Sequence, residues 1–214
     1  MSPGSRGVLY DNCRDATRMA REWTIEGGGT WVVGYDATIG KFYYRCTTAG
    51  VSFYQLINKS IIFGMPIEVY CLMRSDFATG PRMGVEMKGG ADTRGAFDVG
   101  VHLHSATIWL EASYNAVIGW DSVAMPLVWN INTWYNVKVR FDRFIKVKIW
   151  LYGTAEPNWS FVDYYRIPLP NGVLNYRSRV QKGYFALISN QSAGVINTDY
   201  ADIRITPIPR TGGP

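Results

Sequence analysis

Few residues of this chain have the type and spacing for chemistry. His102 and His104, the only histidines, stand two apart in VHLH, so an extended backbone turns both to one face. A carboxylate from a neighbouring strand, Glu86 or Glu111, would complete a metal site with them. Without one, the pair reads as surface or hydrogen-bonded histidines. Cleaving a glycosidic bond takes two carboxyl groups flanking it. Glu86 and Asp92 come nearest, but they straddle KGGA, whose glycines read as a turn, while Glu111 stands alone on its strand. A catalytic pair would have to be assembled from distant strands. No serine–histidine or cysteine–histidine signature surrounds any Ser or Cys.

Hard oxygen ligands cluster near the two ends, Asp11 and Asn12 in the first strand and Asp199 and Asp202 in the last. If the terminal strands are neighbours, Asp11, Asp199 and Asp202 suit a structural calcium. The simpler account is turn capping by Asp and Asn.

Charge and aromatics mark another candidate surface. In WYNVKVRFDRFIKVKIWLYG, Trp134 to Gly153, one alternating set is apolar (Tyr135, Val137, Val139, Phe141, then Ile145, Val147, Ile149, Leu151). The other set carries Lys138 and Arg140, then Lys146, Lys148 and Trp150. Period two with a turn near Asp142 and Arg143 predicts a β-hairpin with one apolar and one cationic face. Trp150 is expected outward beside Lys148, and Trp120, Trp129 and Trp159 in loops, where an exposed indole asks for a cover. Trp31 and Trp134 are expected in the core, and Trp109 is ambiguous. A second basic group is Arg177, Arg179 and Lys182. The cationic face reads first as a solvated face protected from edge pairing, and second as a contact for an acidic glycan or another subunit. Specific nucleic-acid binding is not expected, since no helix, finger or ribonucleoprotein signature accompanies the charge.

These residues must be carried by strands. Short apolar or alternating stretches, separated by Gly, Pro, Asn and Asp, recur from Val8 to Thr206 and predict an antiparallel sandwich. The one helical candidate is Asp15 to Trp23, with Met19, Ala20 and Trp23 on one face behind an Asp cap. With no repeat or low-complexity linker, residues 1–206 read as a single domain and residues 207–214, rich in Pro and Gly, as a tail.

Hydrophobic residues at 47% exclude a disordered body, and 22 Lys and Arg against 17 Asp and Glu leave only a mild net charge of +5. Cys13, Cys46 and Cys71 are too few and scattered for a disulfide framework; one bridge with an orphan thiol and three reduced thiols both remain open. The start, MSPGSRGVLYDNC, lacks a signal-peptide core, and no run is long enough to cross a bilayer, so synthesis and retention in the cytoplasm is the expectation unless an assembly carries the chain out.

Three stretches resemble the concanavalin A-like lectin/glucanase superfamily, in particular its laminin-G-like and 3-keto-disaccharide-hydrolase-like branches. They are the opening LYDNCRDATRMAREWTIEGGGTWVVGYD, the middle TWYNVKVRFDRFIKVKIWLYG and the close GYFALISNQSAGVINTDYADIRIT. The resemblance implies an all-β jelly roll of two curved antiparallel sheets packed face to face, whose concave sheet often holds a saccharide. The laminarinase-type hydrolases of that superfamily carry E-x-D-x-x-E on one strand, a string this sequence lacks. The expectation is therefore a non-enzymatic recognition or assembly module binding glycan or neighbouring subunits. A homo-oligomer or a virion component (capsid decoration, fibre or tail) would fit, and the alternative is a glycoside hydrolase. The contact residues expected are Trp150, Lys138, Arg140, Lys146, Lys148, Trp120 and Trp159.

Overall fold

The computed structural model describes residues 8–49, 53–64, 66–77, 82–88, 98–114, 117–142, 145–159, 161–163, 182–190 and 194–209. Asp92, Arg177, Arg179 and the tail from residue 210 lie outside them, as do residues 164–167 of the strand expected after Phe161. The chain runs through β1 (Leu9–Asp11), α1 (Ala16–Glu22), β2 (Trp23–Glu26), β3 (Thr30–Asp36), β4 (Lys41–Ala49), β5 (Phe53–Gly64), β6 (Ile67–Ser75) and β7 (Arg82–Lys88). It continues through β8 (Asp98–His104), β9 (Thr107–Tyr114), β10 (Val117–Ala124), β11 (Tyr135–Phe141), β12 (Ile145–Leu151), β13 (Phe161–Asp163), β14 (Lys182–Asn190) and β15 (Val195–Pro207). Among the described residues no helix is long and apolar enough to span a membrane.

Two antiparallel sheets result. One has eight strands in the order β13-β12-β11-β6-β15-β4-β3, with β1 also paired to β15; the other has seven in the order β10-β9-β8-β7-β14-β5-β2. The last long strand, β15, sits between β6 and β4, so contacts far apart in sequence close the first sheet. Alternation explains the packing between them. Val137, Val139, Phe141, Val147 and Ile149 of one sheet and Met83, Val85, Met87, Val101, Leu103 and Leu187 of the other join one core. Tyr200 bridges the layers: from β15 its hydroxyl donates to the Ile188 carbonyl and accepts from the Gly84 amide at 3.1 Å. All three cysteines are buried free thiols, which decides between the two alternatives for them.

The helix is short for a local reason. Asp15 caps it, accepting from Thr17 N at 2.8 Å and Arg18 N at 3.1 Å, and Met19 is its buried residue. Trp23 leaves the helix with extended backbone and enters β2, where its ring packs edge-on against Tyr44 and Phe185. Burial of that indole outweighs one more helical residue. Two strands are not expected from the sequence: of β2 only Trp23 falls in an expected element, as the end of the helix, and β10 reads as loop because Gly119 and Asp121 interrupt its β pattern.

Three expected facings change. Leu151, expected inward, is exposed at the end of β12, where the chain turns through Gly153 at φ 84°. Trp129 lies in a loop but is buried in the core, stacked on Tyr135 at 4.2 Å between ring centroids. Trp134 is buried, yet in a separate cluster with Tyr43 and Leu72 rather than between the sheets.

Candidate functional site

The seven-stranded sheet turns a second, polar set of side chains away from the core. Along β7, Met83, Val85 and Met87 point inward, so Gly84, Glu86 and Lys88 take the other face. Glu86 and Lys88 are only 2% and 1% exposed, although charged side chains are almost never fully buried unless paired. Gln55 from β5 links them: its Nε2 donates to Glu86 Oε2 at 3.2 Å, and its Oε1 accepts from Lys88 Nζ at 2.6 Å. Glu26 of β2 lies 3.8 Å from the same ammonium. Beside this group Ile57, Ala186 and Ile188 form a small buried apolar patch.

Two glycines shape the floor. Gly100 is the register partner of Glu86, and Gly84 that of His102. A Cβ on Gly100 would stand 2.8 Å from His102 Nε2 and 3.2 Å from Glu86 Cγ, so the absent side chain is what lets these two groups close over the strand. His102 Nε2 then lies 3.9 Å from Glu86 Oε1. Burial, with a smaller contribution from His104, pushes His102 down to about 4, so the ring is neutral near pH 7.

His104 points to the same face, as the spacing predicts, but it is engaged elsewhere. Its ring stacks on the half-buried Trp109 at 4.7 Å and its Nε2 meets Arg82 Nη1. Burial, then Arg82, lowers its pKa. Among the described residues no group of three or more His, Cys, Asp or Glu could hold a metal ion. The side chains of Glu111 and Trp120 are not among those described. Their backbone places Trp120 in β10, opposite Glu111, rather than in the loop expected for it.

The terminal strands are neighbours, with Asp11 opposite Ile203, but their acids do not share a ligand cage. Asp11 accepts from Cys13 N at 2.8 Å, Trp23 Nε1 at 3.1 Å and the Tyr44 hydroxyl at 2.9 Å. Asp199 is gripped by Arg45 at 2.7 Å and Arg74 at 2.6 Å. Asp202, at φ 51° where the β15 register shifts, pairs with Lys41 at 3.1 Å and Arg204 at 2.8 Å. Protein donors occupy all three carboxylates, and four cationic side chains surround two of them. As arranged, this set does not fit calcium.

Lys138, Arg140, Lys146 and Lys148 lie half-buried on the outer face of the eight-stranded sheet. Lys138 and Lys148 both donate to Glu156 Oε1 at 2.8 Å, and Arg140 to Glu68 at 3.0 Å. Trp159 lies against this face, 4.6 Å from Lys148 and 5.3 Å from Arg140. Trp150 shares the face but is only 9% exposed, packed near Tyr70 with the Lys138 ammonium 6.0 Å from its ring. The expected open indole is therefore a covered one: alternation assigns a side chain to a side of the sheet, and the neighbours on that side decide whether water reaches it.

No protein-family model and no curated protein matches the sequence. Solved structures do match. The VIP36 exoplasmic/lumenal domain, in its Ca2+/Man3GlcNAc-bound form, superposes with a TM-score of 0.59 at 10% identity, covering 98% of this chain and 92% of that one. A legume lectin-like domain from Entamoeba histolytica gives 0.58 at 9%, covering 97% and 100%. A native glycosidic hydrolase gives 0.59 at 9%, covering 100% of both chains. The likeness is one of fold, and it is consistent with the concanavalin A-like sandwich that the sequence resembles.

In this sandwich, the sequence by itself singles out Glu86 and His102 but not Gln55 or Lys88. The signal was present. RMGVEMK alternates Met, Val and Met with Gly, Glu and Lys, and a Glu-x-Lys pair on the second face of an otherwise apolar strand is costly without a purpose. Gln55 becomes relevant only through β14, which lies between β5 and β7 and pairs with both.

Proposed function

We propose that the chain is a carbohydrate-recognition module whose ligand docks on the outer face of the seven-stranded sheet. One observation carries this reading: the hydrogen-bonded Glu86–Gln55–Lys88 group, with His102 beside it, stands on the same face as the half-buried Trp109–His104 stack. A hexose has a rim of hydroxyls and an apolar C–H face. Fixed donors and acceptors recognise the first, and an indole surface matches the second. Support also comes from the neighbours, which include a saccharide-bound VIP36 domain and a lectin-like domain. None of those named bears on the particle-component expectation.

Calorimetric titration with a panel of neutral mono- and oligosaccharides, in calcium and in chelator, tests this. At least one sugar should bind, with Trp109→Ala and Glu86→Gln each weakening it by about tenfold or more at unchanged melting temperature for the first variant. A panel without a binder, or a binder indifferent to both substitutions, refutes the site.

A hydrolase is the second reading, and one register favours it. Glu86 and Glu111 are both partners of Gly100, so their Cα atoms stand two strand spacings apart, roughly 10 Å. Reducing-end release from a polysaccharide, abolished by Glu86→Gln and by Glu111→Gln, would establish catalysis; binding without release leaves the recognition module standing.

A further inference from the structure

Hairpin β11–β12 opposes like charges twice. Lys138 faces Lys148 directly across the pair, and Arg140 faces Lys146. Directly opposed like charges destabilise a sheet, and a face serving only solubility would mix signs across the strands. The hairpin itself gathers four cations; among the described residues Glu68, the register partner of Arg140, meets Arg140 and Lys138, and Glu156 meets Lys138 and Lys148. Glu68 belongs to the neighbouring strand β6 and is part of the sheet. Glu156 is different: it comes from the irregular segment after β12, is 40% exposed, and places one oxygen 2.8 Å from both lysine ammonium groups. The two ammonium groups, Lys138 first, hold its carboxyl below the usual range.

We propose that this face is a second binding site, for an anionic saccharide bearing carboxylates or sulfate esters, and that Glu156 occupies it as an internal stand-in until such a ligand displaces it. Three features define the ligand. The Lys138–Lys148 pair converges on a single oxyanion position. Arg140 and Lys146, opposed in the next outward-facing row, extend the positive surface for a repeating polyanion. Trp159, half-buried beside Lys148 and Arg140, adds an aromatic wall that a pyranose can pack on and a bare phosphate chain would not need. Trp150 lies beneath the cations as support rather than as a contact. Since Glu156 is on a loop, a side-chain rotation releases both lysines from it, leaving Lys138 beside Glu68 at 3.8 Å, without disturbing the sheet.

The site is independent of the one on the seven-stranded sheet, and so is its test. Binding of polygalacturonate and of heparin is titrated over a range of salt, with dextran as the neutral polymer and oligothymidylate as a non-saccharide polyanion. Glu156→Gln should tighten binding of at least one acidic saccharide by about fivefold, the scale of one solvent-exposed ion pair. Lys138→Met/Lys148→Met should weaken it by about tenfold or more and reduce the salt dependence. Trp159→Ala should weaken binding of the acidic saccharide. Polygalacturonate and heparin separate carboxylate from sulfate recognition. Lys148→Met alone serves as the second variant should the double substitution not fold. An unchanged affinity in Glu156→Gln, or oligothymidylate binding as tightly as either acidic saccharide, would overturn the proposal.

Discussion

On the outer face of the eight-stranded sheet, charges meet where water still reaches them: Lys138 is 19% exposed and its partner Glu156 40%. On the outer face of the seven-stranded sheet, Glu86 and Lys88 are almost wholly buried and are linked through the amide of Gln55. The same residue types therefore do different work. In high dielectric an ion pair contributes little and can be exchanged for another partner; in low dielectric each charge must keep its hydrogen bonds, and removing one member strands the rest. The first face is suited to exchanging ligands by charge, the second to holding a fixed pattern of donors and acceptors.

The contrast can be broken by mutation. Lys88→Ala should cost about 3 kcal/mol in urea unfolding, because it takes the buried donor from Gln55 Oε1 and so loosens the amide that also holds Glu86. Lys138→Ala should cost no more than about 1 kcal/mol. Equal costs would erase the distinction between the faces.

Acid titration sharpens it. His102 has its pKa lowered by burial to about 4 in the folded protein, against about 6.5 in the unfolded chain. Below 6.5 the unfolded chain takes up a proton that the folded one does not, so stability present at pH 7 declines as pH falls from about 6.5 towards 4. The loss should be on the order of 3 kcal/mol and should be missing in His102→Gln. A flat stability profile in the parent protein over that range would mean that the ring is not held neutral by burial.

An intermediate case lies within the first face. Arg74 donates to Asp199 and Asp36 and its guanidinium stands 4.5 Å from the Trp134 ring and 5.2 Å from the Tyr43 ring. Arg74→Lys should cost about 2 kcal/mol, since lysine keeps the charge but loses the fork and the stacking. Trp150→Ala, which removes a mostly covered indole from that face, should cost about 3 kcal/mol, as a melting-temperature drop of several degrees. A loss near zero would return Trp150 to the exposed role that alternation assigned it.

Much of the architecture was readable because period-two burial is local. Tyr135–Phe141 matches the expected strand to the residue, and β3, β4, β6, β7, β8 and β9 begin within one residue of expectation. The readable part of the seven-stranded face was Glu86 with His102, since alternation and strand adjacency supply both. Lys88 follows from the same alternation along β7, two residues from Glu86, whereas Gln55 needs the pairing of β14 with β5 on one side and β7 on the other, which no local pattern encodes. The acids near the ends show the same limit: the sequence offers turn capping or an ion for Asp11, Asp199 and Asp202, and the fold supplies Cys13 N, Trp23, Tyr44, Arg45, Arg74, Lys41 and Arg204 as their partners.

By itself the sequence determined that the chain builds antiparallel sheets with one apolar surface each, because side chains alternate along a strand whatever its neighbours are. The tertiary structure alone decided which polar side chains on the opposite surfaces are buried and which are wet. Burial of a charge depends on strands brought together from distant parts of the chain, and on the donors they supply in place of water.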